Sequence, residues 1–252
     1  MSWVGDLWVV PIGVGGAYAL PGENQSSYLV GAGETRIVLD LGAGTLNALQ
    51  RHVDPHAVDA VVISHLHADH CVDLFALRIH MVWGPGAGRR LRVIGPPRLR
   101  DLLAGFAGED GWDDGFAFEV LEPPSAEAQV ADVRLTFREV PHTPPTFAVR
   151  IDHDGHSITY GADCRRNDEL AELAQGSDIL IAECGDGVAQ RRESGHMTGG
   201  EAGSVATAAA VGRLLLTHCY PEHDRDATLR AARDAFPGPV EWATQGVRVD
   251  AR

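Results

Sequence analysis

Along the first third of the chain, apolar positions fall in short runs separated by glycine-rich turns. Leu7–Ile12, Ser27–Val30 and Arg36–Leu41 have the length and alternation of strands. The last two are joined by Gly31-Ala32-Gly33-Glu34, which predicts an antiparallel start. Val58–Ser64 is almost continuously apolar and rich in valine and isoleucine, too short for an ordinary helix, and reads as a buried strand. A helical stretch is expected from Asp69 to Val82, then a strand at Leu91–Ile94 and a short helix at Pro97–Leu103. Gly105–Gly115 reads as a loop carrying solvated Glu109, Asp110, Asp113 and Asp114.

The second half repeats the theme. Strands are expected at Phe116–Leu121, Val133–Val140, Phe147–Ile151 and Ser157–Gly161, the last two linked by the turn His153-Asp154-Gly155-His156. Apolar strands at Asp178–Ala182 and Arg213–Thr217 flank an alanine-rich helix from Gly200 to Val211. An amphipathic helix over Arg225–Ala235 precedes a last strand at Val240–Ala243. Two similar halves, each a run of strands followed by β-α-β, predict an α/β fold of two packed sheets with helices on their outer faces.

Composition supports a globular chain: 252 residues, 44% hydrophobic and 22% charged, with 29 glycines and 14 prolines scattered as turn punctuation. No apolar run approaches the roughly 18 residues of a membrane span, and no basic flank precedes an apolar stretch at the start. A cytoplasmic protein with no membrane partner is therefore expected. The net charge of −14 disfavours long nucleic acids, since basic residues gather only in pairs such as Arg89-Arg90 and Arg191-Arg192. Cys71, Cys164, Cys184 and Cys219 show no paired metal-ligand spacing and lie in apolar segments, as reduced, buried thiols do.

The chemistry concentrates in Ser64-His65-Leu66-His67-Ala68-Asp69-His70, directly after the buried strand. An extended His-x-His puts both imidazoles on one side, and the following turn brings Asp69 and His70 to a second point nearby. His142, Asp163 and His218 each follow the end of an expected strand. Singly they are ordinary: His142 fits a turn, and Asp163 could cap the next helix. Together they complete a set for two ions about 3.5 to 4 Å apart.

At these residues the chain closely resembles the metallo-β-lactamase superfamily, with its His-x-His-x-Asp-His motif followed by a distant His, Asp and His. The resemblance implies a four-layer αβ/βα sandwich, two mixed sheets flanked by helices, as one domain over residues 1–252. It implies that His65, His67 and His142 hold one ion, that Asp69, His70 and His218 hold a second, and that Asp163 bridges them. Zn²⁺ is the expected metal and Mn²⁺ the alternative. Asp40 matches the family's buried aspartate that supports the histidine loop. One departure is the context of the bridging residue, Tyr160-Gly161-Ala162-Asp163-Cys164, where relatives usually carry glycine before the aspartate and Thr or Ser after it. The thiols of Cys164 and of Cys219, beside His218, could compete for a soft metal.

Membership does not choose the reaction. Glu183, in Ile181-Ala182-Glu183-Cys184, and His196, in Gly195-His196-Met197-Thr198, look like the Glu and His-x-Thr pair of the ribonuclease Z-like phosphodiesterase branch. That likeness implies catalytic roles for His196 and Glu183 beside Asp69. Residues 143–162 are spent on two strands and a turn, where tRNA-processing members carry a long arm. The segments Leu46–Pro55 and Ser64–Leu74 resemble bacterial atypical cyclic-nucleotide phosphodiesterases. The expectation is a dinuclear hydrolase that attacks a small phosphodiester with a metal-bridging hydroxide. The alternatives are a ribonuclease Z-like RNA 3′-processing nuclease, a hydrolase of a lactone, thioester or lactam, and a non-catalytic metal- or nucleotide-binding module. The resemblance suggests a homodimer. His223 reads as a solvated residue at a helix start or, following the last ligand closely, as a residue lining the pocket mouth, and the aromatic residues between Trp83 and Phe118 as either a substrate wall or packing.

Overall fold

The computed structural model describes residues 7–107, 114–189 and 195–252. Glu109, Asp110, Asp113 and the Arg191-Arg192 pair lie outside the described residues. Near the start, β1 (Leu7–Gly13), β2 (Ser27–Ala32) and β3 (Thr35–Leu39) form an antiparallel meander. Its second hairpin turns at Gly33, whose φ of 53° lies in the left-handed region that glycine adopts freely. Parallel to β3 follow β4 (Ala60–Val62), β5 (Leu91–Gly95) and β6 (Phe116–Val120). On the outer edge a two-residue C-terminal strand, Val249–Asp250 (β14), pairs with β1.

The second sheet repeats this order. An antiparallel run of β7 (Ser125–Val130), β8 (Val133–Val140), β9 (Thr146–His153) and β10 (His156–Tyr160) passes into the parallel strands β11 (Ile179–Glu183), β12 (Arg213–Thr217) and β13 (Val240–Trp242). The sheets pack face to face. Val30 and Leu39 from the first and Phe137, Val149 and Ile158 from the second share one buried cluster. Outside the first sheet lie α1 (Thr45–Leu49), α2 (Ala68–Cys71), α3 (Leu74–Trp83) and α4 (Leu99–Ala107); outside the second lie α5 (Asp168–Leu173), α6 (Gly199–Ala208) and α7 (Arg225–Ala235). This is the expected sandwich of two mixed sheets between helices. Among the described residues no helix is long and apolar enough to cross a membrane.

Several boundaries differ from the sequence reading. The strand expected over Val58–Ser64 shrinks to Ala60–Val62, because Asp59 accepts from the Arg36 amide and the Ser64 amide turns to Asp40. Phe116–Val120 closes the first sheet rather than opening the second. The helix expected from Asp69 to Val82 breaks between Cys71 and Leu74. There the Asp73 amide donates to the Leu41 carbonyl and the Asp73 carboxylate accepts from the Leu46 amide. The alanine-rich helix stops at Ala208, just before Ala210 takes a φ of 50°. Gly105 lies inside α4, not in a loop.

Candidate metal centre

The site forms where the C-terminal ends of β4, β10, β11 and β12 meet between the two sheets, as ligand sites do in open α/β sheets. Asp40, just past β3, organises the first loop. Its Oδ1 accepts from the Ser64 amide at 2.7 Å, and its Oδ2 accepts from Ser64 Oγ at 2.8 Å, Tyr160 Oη at 2.7 Å and His70 Nδ1 at 2.7 Å. Gly42 lets this loop close. A Cβ there would collide with the Asp69 carbonyl and with Gln25.

The other ring nitrogens are fixed in the same way. His65 Nδ1 lies 3.0 Å from Ser64 Oγ, whose own proton goes to Asp40, so the imidazole donates. His142 Nδ1 donates to the Gly195 carbonyl at 3.1 Å. With Nδ1 donating in His65, His70 and His142, their Nε2 atoms are the ones turned to the centre, where a cation, or in its absence a proton, lies between them and the neighbouring acceptors.

The spacing tests that reading. Tetrahedral ligands about 2.0 to 2.1 Å from a zinc ion stand about 3.3 to 3.4 Å apart. In the group Asp69, His70, Asp163 and His218, the two Nε2 atoms are 3.4 Å apart, and Asp69 Oδ2 lies 3.4 and 3.2 Å from them. Asp163 Oδ2 lies 3.4 and 3.3 Å from the same two nitrogens. In the group His65, His67, His142 and Asp163, His67 Nδ1 lies 3.1 Å from His65 Nε2 and 3.4 Å from His142 Nε2, and Asp163 Oδ2 lies 3.8 Å from His65 Nε2. Asp163 belongs to both groups, as a bridging carboxylate must. The residues present therefore fit a dinuclear centre.

Electrostatics divide the two groups. Burial holds His65 well below the ordinary histidine value, and burial likewise lowers His67 and His142. Burial would depress His70 and His218 as well, but Asp163, with Asp40 for His70 and Asp69 for His218, outweighs it and raises both. The same contacts overcome burial at Asp69 and Asp163 and hold both carboxyls below the usual range.

All seven expected ligands converge here. Asp163 is not a helix cap; Asn167 caps α5 by accepting from the Leu170 amide. Glu183 and His196 are paired at 3.0 Å, and Glu183 also accepts from the amides of Cys164, Gly185 and Met197. Against the burial that would lower it, this carboxylate lifts His196 to about 9. His196 and Glu183 gather with His218 into a third group of ligand-type side chains, and His196 Nδ1 lies 3.9 Å from Asp163.

None of the four cysteines joins a metal-ligating group among the described residues. Cys164 Sγ faces the Gly161 carbonyl and Cys219 Sγ the Tyr220 carbonyl. His223, read as solvated, is half-buried and packs where a Cβ on Gly187 would meet its ring. Phe116 is in the outer core of the first sheet, with Phe118 packed against it, so both are packing residues.

The sequence reading missed two tyrosines at the site. Tyr160 Oη holds Asp40, and Tyr220 Oη lies 3.1 Å from His196 Nε2. Their only signal is position, three residues before Asp163 and two after His218. Backbone strain also gathers here. Asp40, Ala162 and His218 all have positive φ, at 56°, 53° and 53°, and at Ala162 this is a backbone conformation that glycine would adopt without steric cost.

Comparison with known proteins agrees with this geometry. A family model described as "Beta-lactamase superfamily domain" matches residues 35–219. The Mycobacterium tuberculosis protein Rv1339 is 36% identical over 243 residues, covering 92% of this chain and 88% of that one. The Bacillus subtilis protein named "Probable metallo-hydrolase YhfI" is 30% identical over 94% of this chain and 97% of its own. The YhfI crystal structure, of a metallo-β-lactamase fold protein, superposes with a TM-score of 0.88 at 27% identity over 98% of this chain and 99% of that one. Ribonuclease Z of Mycobacterium bovis BCG is 28% identical over 97% of this chain and 98% of its own. This chain belongs to the metallo-β-lactamase superfamily, close to YhfI and the ribonuclease Z-like proteins, and is a metal-dependent hydrolase of that fold.

Proposed function

We propose that the protein is a phosphodiesterase that acts on a small phosphodiester such as a cyclic nucleotide, with two divalent ions, zinc first, held by His65, His67, His142 and Asp163 and by Asp69, His70, Asp163 and His218. Ions held there would act as Lewis acids on the phosphoryl oxygens and lower the pKa of bound water. The observation that carries the reading is the Glu183–His196 pair beside Asp163. Glu183 orients the ring through Nδ1. The opposite nitrogen, with the Tyr220 hydroxyl, is then placed to hold a proton for the departing alkoxide or to stabilise charge on a phosphoryl oxygen. A carbonyl substrate with a good leaving group has less need of such a donor.

The likeness to ribonuclease Z raises RNA 3′ processing as a second reading. Against it, residues 143–162 are taken up largely by β9 and β10, leaving no arm between His142 and Asp163 with which to grip a tRNA. The net charge of −14 opposes a polyanion as well.

The test is hydrolysis of 3′,5′-cyclic AMP by protein reconstituted with Zn²⁺ or Mn²⁺, with Asp163→Ala as the control for contaminating enzymes. Turnover that vanishes in the control supports the reading. Metal-loaded protein that leaves cyclic nucleotides and other small phosphodiesters intact but cleaves a lactone or thioester refutes it.

A further inference from the structure

We infer that Tyr28 is a positioning residue for the metal centre: through the Thr217 hydroxyl it aims His218 at the ion held with Asp69, His70 and Asp163. The inference rests on the two-ion centre proposed above and not on the substrate. His218 differs from the other ligands that face the centre through Nε2. His65, His70 and His142 have Nδ1 tied to Ser64, to Asp40 and to the Gly195 carbonyl. His218 Nδ1 is buried and has no hydrogen-bond partner among the described residues. A ligating histidine is ordinarily oriented from behind through its second nitrogen. The His218 ring is therefore aimed by another route, its own backbone.

That backbone is held from two directions. The His218 amide donates to the Val14 carbonyl. Thr217, the residue before it, ends β12, and its Oγ meets Tyr28 Oη at 2.5 Å. Tyr28 stands on β2 of the opposite sheet, and both side chains are buried, at 0% and 2% exposure. Neither hydroxyl has another partner among the described residues. The bond crosses the sandwich and pins the strand end that carries the ligand. It also bears on the φ of 53° at His218, a conformation that persists in a residue with a side chain only where its surroundings hold it.

Tyr160 does the converse. From β10 of the second sheet its Oη donates to Asp40, just past β3 of the first, and through that carboxylate it reaches His70. The two tyrosine rings lie 5.0 Å apart between centroids, tilted by 46°. His70 and His218, whose Nε2 atoms stand 3.4 Å apart, are thus each held by a tyrosine from the other sheet. The crossed pair fixes how the two sheets present their ligands to one ion.

The experiment is stepwise titration of metal-stripped protein with Co²⁺, whose visible absorption reports coordination geometry, beside thermal unfolding of the stripped protein. The wild type should take up two ions per chain. Tyr28→Phe deletes one oxygen and strands the Thr217 hydroxyl. One ion, the same one that His218→Ala loses, should bind about 10- to 100-fold more weakly with an altered spectrum, the other should keep its affinity, and the Tm should fall by several degrees. Adding Thr217→Val removes the stranded hydroxyl as well, so the double variant should regain most of the Tm while the weakened ion stays weak. Thr217→Ser, which keeps the hydroxyl, should keep both affinities. Wild-type affinity for both ions in Tyr28→Phe overturns the inference. So does an affinity that returns together with the Tm in the double variant, because the pair would then serve packing alone. A wild type that binds fewer than two ions would remove the two-ion centre itself, and the inference with it.

Discussion

Asp40 and His70 are joined across 2.7 Å by a hydrogen bond that is wholly buried, with neither side chain reaching solvent. The contact fixes which imidazole nitrogen faces the metal centre, and the same carboxylate accepts from Ser64 and Tyr160. In Asp40→Asn the amide nitrogen must face one of these donors. Metal affinity should fall about 10- to 100-fold, as for other partners that orient ligands from behind. One buried donor left unpaired costs about 1 to 3 kcal/mol and should lower the Tm by several degrees. Chelator competition and calorimetry check both. Unchanged metal affinity would show that Asp40 is only a packing residue.

His196 touches the ligand groups without being needed to complete the two sets that share Asp163. His196→Ala should reduce kcat/KM about 10²- to 10³-fold while metal content per chain stays at the wild-type value. Glu183→Gln should reproduce part of that loss, because the ring keeps a partner without its charge. Glu183→Ala should in addition destabilise the fold, since three backbone amides lose their acceptor. Metal analysis alongside steady-state rates separates these outcomes.

How much was readable in advance follows from the range of the forces involved. His65, His67, Asp69 and His70 sit in one short segment whose local geometry dictates convergence, and His142, Asp163 and His218 each follow a strand end, so the centre was visible as spacing. Strand β7 was missed because its inward positions are Ala126 and Ala128, too small to mark an alternation against Glu127 and Gln129. Helices α1 and α5, of five and six residues, are too short to show a period. The break at Asp73 depends on Leu46, 27 residues away, and Tyr220 meets His196 only through packing. No local pattern carries contacts of that kind.

Gly42 offers a test of how tightly the loop is built. A methyl group there meets the Asp69 carbonyl, a backbone atom that cannot rotate away. Gly42→Ala should therefore push the Asp69–His70 turn outward and weaken the ion held with His218 more than the ion held by His65, His67 and His142. Metal titration should resolve one site near wild-type affinity and one weakened about tenfold or more. Equal weakening of both would mean that the displacement reaches Asp163.

Acid–base behaviour of the stripped protein follows from the opposed histidine shifts. His65, His67 and His142 have lowered pKa values, so below the ordinary histidine value near 6.5 the unfolded chain binds more protons at these positions, and stability falls as pH falls. His70 and His218 have raised values, and His196 is raised to about 9. At these residues the folded state binds more protons above 6.5, so stability falls as pH rises through the folded values. After chelation the Tm should pass through a maximum between about pH 6 and 7 and decline on both sides. Zinc takes up the nitrogens facing the centre in competition with protons, so it should raise the Tm most on the alkaline side, in proportion to the logarithm of its free concentration. Scanning calorimetry from pH 5 to 9, with and without metal, checks this. A stripped protein whose Tm rises steadily to pH 9 would show that Asp163 and Asp69 do not hold protons on His70 and His218 in the absence of metal.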